Sequence, residues 1–450
     1  MLSSVLVGIA IKEIKMTVEA WLKQPKTIQR SKKRYAHFDH RLDINNAAEF
    51  IKNSDNVAKH GFYPFIHYTM RMKKYNKKTG KKVKTREIYY AAHLDRCIYQ
   101  YYAYLLNEYY NRRIKLDGID SVPVAYRTDL RDSNIDSAHK AFEFIRKTQK
   151  CYVMIGDFTN FFDNLDHKYL KKQWCSLIEE ELLPKDHYTV YKNITKYSSW
   201  ELEDLLEING LPKTNWGKRE LNKKNVVLEK VEFDKHRDHI VKNKLSYGIP
   251  QGSPISAVLA NIYMLEADKL IYEKVSQYDG FFMRYSDDFI IVIPVETCDD
   301  KKLFGELIEI IKDVPNLKLE SKKTQFFYVD LPKVSNIGKR YAEDADVSQR
   351  RINFLGFSFD GNKIYVRPKT ISKYYYRMNR KARAIAGNYA QLGADHLYMR
   401  YSARGAKGKR GNFFTYINNA EKVFGTSEMI RIDLKNHMSK IRKALNNVKK

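Results

Sequence analysis

Three aspartates interrupt runs of strand-forming residues. Asp157 closes the apolar stretch CYVMIGDF (residues 151–158), and Asp287 and Asp288 split FFMRYSDDFIIVIP (residues 281–294). Adjacent carboxylates are costly in apolar surroundings, because each is desolvated and the two repel. A cation must offset that cost, or the pair must sit in a solvated turn. Strand, Ser286-Asp287-Asp288, strand reads as a tight hairpin with two carboxylates at its tip. Asp157, at the end of an earlier strand, supplies a third. Strand ends in one sheet can converge, and three carboxylates around one point suit two hard Mg²⁺ ions, which take oxygen ligands. Two ions about 3.5–4 Å apart stabilise both the attacking and the leaving oxygen of a phosphoryl transfer. Taken singly, each aspartate has a plainer role, as a turn residue at 287 and 288 or a helix N-cap at 157.

A further element is YGIPQGSPISAVLANIYM (residues 247–264). Gly248, Pro250 and Gly252 shape a turn that leads into a helix, with Ser253 as the expected N-cap. Backbone without side chains can lie close to a base pair or a nucleotide. Alone, this stretch is an ordinary loop before a helix.

These residues need a scaffold. Residues 87–114 carry apolar and aromatic side chains at helical spacing, which predicts a helix from about Leu94. Residues 135–147 form a second amphipathic pattern, and 253–271 a helix with a small-residue face. Residues 151–158 read as a strand, and 353–367 as a hairpin turning at Asp360-Gly361-Asn362. Residues 171–245 are polar and charged and read as a helical insertion, while the last eighty residues read as basic helices. The middle is therefore an α+β core flanked by basic helical segments.

The 450 residues suit two or three packed subdomains, and 43% hydrophobic content is enough for a sizeable core. Net charge is +28, which points to a polyanionic partner, most commonly nucleic acid. Half of that charge falls in residues 371–450, which hold 18 Lys/Arg against 4 Asp/Glu. Residues 71–86, RMKKYNKKTGKKVKTR, hold nine basic residues and no acidic one, as either a solvated loop or a nucleic-acid contact. The 33 tyrosines and 22 phenylalanines favour the second reading, because aromatics beside Lys/Arg stack on unpaired bases. Cys97, Cys151, Cys175 and Cys298 form no Cys-x-x-Cys pair, which argues against a zinc ribbon or a disulfide framework and fits a reducing cytosol. The apolar residues 5–11 are too short to span a bilayer and lack the preceding positive charges of a signal peptide. The expectation is a cytoplasmic protein without a membrane partner; whether Met1 or Met16 is the start stays open.

In their order and spacing these motifs resemble those of the reverse transcriptases, over roughly residues 86–370. The resemblance implies a right-hand polymerase, with fingers, a palm of antiparallel sheet plus helices, and an α-helical thumb. It assigns residues 1–150 to an N-terminal extension and fingers, and 151–360 to the palm with the insertion at about 171–245. Residues 361–450 become a basic helical thumb. Asp157 then matches the first catalytic aspartate, with the Phe158 carbonyl as a further metal ligand. Tyr285-Ser286-Asp287-Asp288 matches the Tyr-x-Asp-Asp box, in which Asp157 and Asp287 ligate metal directly and Asp288 is secondary. Phe162 falls at the aromatic position that excludes a ribose 2′-hydroxyl, and Gln251 matches the residue near the nascent pair. Lys323, in ESKKTQFF (residues 320–327), matches the lysine that stabilises or protonates the leaving pyrophosphate. FLGF (residues 354–357) resembles the primer-grip hairpin of the bacterial enzymes. Arg127, in AYRTDLRDSN (residues 125–134), matches the fingers arginine that holds the triphosphate, and Arg86 is a second candidate for that contact. The cofactor implied is Mg²⁺, two ions.

Departures narrow the resemblance. The nuclease domain of many mobile intron proteins, the Val-Thr-Gly signature of retron enzymes and an RNase H-like carboxylate set do not appear. The chain is most similar to the solitary bacterial polymerases of the abortive-infection and defence-associated groups. Those act against phage, pairing with a noncoding RNA or making untemplated DNA. The implied partners are an RNA template, dNTPs and a DNA product; a homo-oligomer stays open. Alternatives are a group II intron-like or retron-like enzyme, or an untemplated, protein-primed DNA polymerase. An RNA-dependent RNA polymerase shares the palm, but the bulky Phe162 argues against it. A non-catalytic RNA-binding protein has no need of all three aspartates.

Overall fold

The structure is a computed structural model. It describes residues 16–24, 27–76, 80–297, 299–321, 323–341, 343, 345, 347–386, 394–408 and 411–446. The apolar residues 5–11 and Cys298 lie outside the described residues, as do parts of the basic stretches near 78 and beyond 386.

The basic stretch after residue 70 is folded into a long antiparallel hairpin, β1 (Phe65–Asn76) and β2 (Gly80–Tyr90). Its register sets Arg86 opposite Met70, Arg71 opposite Thr85 and Lys84 opposite Met72. Those three cations thus lie opposite neutral residues, whereas Lys74 lies opposite Lys82 further along the hairpin. The helix His93–Leu116 follows, burying Ile98, Tyr102, Leu106, Tyr110 and Ile114 on one face.

The helix Asn134–Thr148 carries a Ser133/Asp136 capping box and leads into β3 (Lys150–Asp157). The insertion is not purely helical, as the sequence reading had it. Within it β4 (Ser198–Glu201) adds in parallel to β1, and β5 (Val241–Lys242) adds to β4. The free edge of β1 offers backbone partners, and the pairing lets Trp200 bury completely beside Ile66 and Phe38. The small-residue helix is also broken, into Ser256–Tyr263 and Leu265–Ser276, at Met264.

The central sheet adds β6 (Phe281–Tyr285), β7 (Asp288–Pro294), β8 (Gln325–Asp330) and β9 (Lys333–Asn336), all antiparallel, in the order β6-β7-β3-β8-β9. Period-two alternation feeds two cores. Val153, Ile155, Met283, Ile290, Val292, Phe327 and Val329 face the helix Asn134–Thr148 and the C-terminal elements. Met154, Phe282, Phe289, Ile291, Ile293 and Phe326 face the helices on the other side. A small sheet follows, β10 (Ile352–Phe354), β11 (Phe357–Phe359) and β12 (Ile364–Val366), with the expected turn at Asp360, whose Oδ1 accepts from the Asn362 and Lys363 amides. The chain then runs through the helices Pro368–Ala386, Ala394–Tyr401, Phe413–Phe424 and His437–Asn446. Cys97, Cys151 and Cys175 are buried and unpaired. Among the described residues no helix is long and apolar enough to cross a membrane.

Candidate active site

The register of the central sheet brings the aspartates together. Asp157 lies directly opposite Asp288 across the β3–β7 pair, and Asp288 pairs in turn with Tyr285 of β6. Asp287 occupies the hairpin tip beside Ser286, whose backbone is left-handed at φ 61°. The neighbouring Gly156 is required by packing, since a Cβ there would meet the Phe289 ring at 2.2 Å. Burial, and then Asp287 and Asp157, push the Asp288 carboxyl up to about 7, with Arg367 and Lys323 opposing in part. The site therefore carries more negative charge than its neighbours neutralise. The three carboxylates stand at adjoining strand ends, Asp157 paired with Asp288 and Asp287 next to it. An all-oxygen, under-compensated set fits hard dications.

Lys323 stands at this site, with Nζ 2.9 Å from Asp157 Oδ2. It arrives on a loop fastened to the end of β3, where the Glu320 amide donates to the Asp157 carbonyl (2.8 Å) and the Thr159 amide to the Lys318 carbonyl (2.9 Å). Those two bonds flank the Phe158–Leu319 bridge. The Phe158 carbonyl therefore points away from that loop. The Phe158 side chain is buried and stacks on Phe161.

A 3₁₀ turn, Phe161–Asp163, follows. Phe161 is 3% exposed, whereas Phe162 is half-buried at the edge of the core. The turn is fastened to the Pro250-Gln251-Gly252 loop. The Ile249 amide donates to the Phe162 carbonyl (3.0 Å), and Gln251 Nε2 donates to Asp163 Oδ1 (3.3 Å). That loop is fastened to β2, where the Tyr89 amide donates to the Gln251 carbonyl at 2.9 Å. Gly252 makes the approach feasible, with φ 119° and a would-be Cβ 2.3 Å from the Tyr89 carbonyl oxygen. Ser253 is not the N-cap expected of it. The helix starts at Ser256, whose Oγ donates to the Pro250 carbonyl (2.7 Å), and the Ser253 hydroxyl is buried without a partner. The helix therefore starts two residues later than an N-cap at Ser253 would place it.

The two arginines are not brought together. Arg86 is exposed on β2. The Arg127 guanidinium is fully buried and paired with Asp120 (2.6 Å) and Asp129 (2.7 Å), so it braces its own loop rather than facing the aspartates. Sequence reasoning missed the pair beneath the hairpin, Arg284 and Asp268. Arg284 Nε and Nη2 donate to the Asp268 carboxylate at 2.6–3.0 Å, and Nη1 donates to the Ser286 carbonyl at 2.9 Å. A basic residue at an inward strand position and an acid on the apolar side of a helix were the available signals. A cavity of about 1220 Å³ opens beside Gly252 and Pro254, lined among others by Arg30, Lys33, Arg96, Arg131, Lys218 and Tyr68.

Residues 69–359 match the family model described as reverse transcriptase (RNA-dependent DNA polymerase). No curated protein matches the chain. Among solved structures, it is similar to apo telomerase from Candida tropicalis truncated from its C-terminal domain, at 11% identity and TM-score 0.41, over 71% of this chain and 59% of that one. It is similar also to telomerase from Candida albicans in complex with a fragment of telomeric RNA, at 12% identity and TM-score 0.37, over 87% of this chain and 64% of that one. The chain thus spans about three-fifths of the length of the structures it resembles. The family match covers well over half of the sequence and includes all three aspartates, Gln251 and Lys323, and the chain belongs to the reverse transcriptase family.

Proposed function

We propose that this chain is an RNA-directed DNA polymerase that extends a 3′-hydroxyl with deoxynucleoside triphosphates. The observation that carries the reading is the placement of Asp157 opposite Asp288, with Asp287 at the adjoining tip. Asp157, Asp287 and the Phe158 carbonyl are the groups that would hold two Mg²⁺ ions, with Asp288 in support. When bound, such ions supply charge stabilisation to the attacking and leaving oxygens. Lys323 holds a positive charge against Asp157 and is placed to stabilise or protonate the departing pyrophosphate. Phe162, half-buried beside the buried Phe161, lies under the incoming sugar, and Gln251 and Tyr285 line the nascent pair. Of the two arginines, Arg86 is exposed on β2 and is the one offered to phosphate; Arg127 keeps the fingers loop in place. Residues up to about 150 act as fingers, the central sheet as palm and the C-terminal basic helices as thumb. The basic, tyrosine-lined cavity suits a single strand of template.

The finer reading is a polymerase that works on a partner noncoding RNA in bacterial antiphage defence. It rests on the resemblance to the solitary bacterial enzymes and on Ile364–Val366 and the basic helix after it standing where retron enzymes carry Val-Thr-Gly. Purification from cells, sequencing of the co-purified RNA and incubation with labelled dNTPs test it. DNA complementary to one enriched RNA, together with phage protection lost on Asp287→Ala, is the expected result. DNA matching no RNA would favour untemplated synthesis, and no DNA product at all would overturn the polymerase reading.

A further inference from the structure

The insertion carries a cluster that polymerisation does not use. His236, Asp238 and His239 each present one ligand atom, and the three atoms lie within 4.8 Å of one another. No other group of His, Cys, Asp or Glu among the described residues is as compact. The cluster sits on the 3₁₀ turn Arg237–His239, directly after the short helix Lys230–Lys235. A second layer is already in place. His239 Nδ1 is 3.1 Å from Asp204 Oδ2, and its ring lies parallel to Trp200, at 5° and 5.8 Å. A carboxylate on one imidazole nitrogen fixes the tautomer and turns the other nitrogen into the ligand, the usual support of a metal-bound histidine. Glu232, one helical turn upstream, has its carboxylate 3.4 Å from His236 Nε2 and 3.9 Å from Lys235 Nζ, so it borders the trio without joining it.

We propose that His236, Asp238 and His239 form a zinc site that fixes the turn after the helix Lys230–Lys235 within the insertion. Two imidazoles with a carboxylate suit a borderline four-coordinate ion rather than Mg²⁺. Bonds of about 2.0–2.1 Å place tetrahedral ligand atoms roughly 3.3 Å apart, so atoms within 4.8 Å need to close by at most about 1.5 Å. The imidazoles are 27% and 34% exposed, which leaves them room to rotate. The tie would act on a packed element, since Phe233 from the same helix lies against Trp200 of β4 and against Phe38.

The test uses the full chain in excess Mg²⁺, which saturates an oxygen-only site. Equilibrium dialysis with Zn²⁺ and metal analysis should return one zinc per chain, and Co²⁺ should give the visible absorption of a tetrahedral nitrogen–oxygen site. His236→Asn with His239→Asn should weaken zinc binding at least 100-fold, and Asp204→Asn, which touches only the second layer, about 10–100-fold. Asp157→Asn should retain the zinc. Circular dichroism checks that the variants fold, and Asp238→Asn substitutes if the double variant does not. No zinc bound by the wild type under excess Mg²⁺, unchanged binding in the folded histidine or Asp238 variant, or loss in Asp157→Asn would overturn the proposal.

Discussion

Replacing Asp268 with asparagine removes the counter-charge beneath the Ser286–Asp287 turn. The Asp268 and Arg284 side chains are 0% and 1% exposed, so the guanidinium would stay buried without an anion. Breaking such a pair on one side costs about 3–5 kcal/mol. Native stabilities are themselves about 5–15 kcal/mol, so the variant should unfold at much lower urea. A second effect is local. Arg284 also donates to the Ser286 carbonyl and holds that residue at φ 61°, so a shifted guanidinium loosens the tip that carries Asp287. The compensating variant Asp268→Leu with Arg284→Met should recover most of the stability, because apolar replacements of a buried pair are often neutral. It lacks the donor to Ser286, so its single-turnover extension rate should stay depressed. Urea denaturation followed by circular dichroism gives the first quantity, and rapid-quench primer extension the second. A loss under about 1 kcal/mol for Asp268→Asn, well below that range, would refute the reasoning. So would a double variant that regains both stability and rate.

Other outcomes follow from the same geometry. Phe162→Val should raise ribonucleotide use relative to deoxynucleotide by roughly 10–100-fold, since overlap with a 2′-hydroxyl costs about 1–3 kcal/mol; Phe161→Ala should destabilise without changing sugar choice, and the reverse pattern would move the gate. Gly252→Ala forces a side chain into 2.3 Å of the Tyr89 carbonyl at φ 119°. It should lose about 1–3 kcal/mol by denaturation and weaken dNTP binding; an unchanged melt would mean the fingers–palm contact is not held there. Burial lowers the His37 imidazole to about 4. Between the unfolded value near 6.5 and about 4 the unfolded chain binds the extra proton, so stability is full above that window and falls by up to about 3 kcal/mol as pH drops through it. Denaturation at pH 7, 5.5 and 4.5 should show this slope, and His37→Gln should flatten it.

The aspartates were legible because a charge inside a strand pattern is anomalous, and period two located β3, β6 and β7 with little error. What joins them was not legible. The parallel pairing of β4 on β1 links residues 134 apart, at His67 and Glu201, and no local pattern encodes it. Arg284 and Asp268 drew no reading, because a buried pair declares itself only once both partners are placed. Arg127 shows the converse. Its motif matched the family, but Asp120 and Asp129, both close in sequence, neutralise it. Ser253 had a capping residue's chemistry, yet the strained turn at Gly252 set the helix start further on.

The central claim is that Asp157, Asp287 and Asp288 form one site for templated DNA synthesis. Primer extension on a defined RNA template with dNTPs and Mg²⁺ tests it most directly, comparing wild type with Asp287→Ala/Asp288→Ala at matched fold and matched RNA affinity. The wild type should copy the template, and the double variant should bind RNA with similar strength yet make no product. Template-dependent product from the double variant would contradict the account.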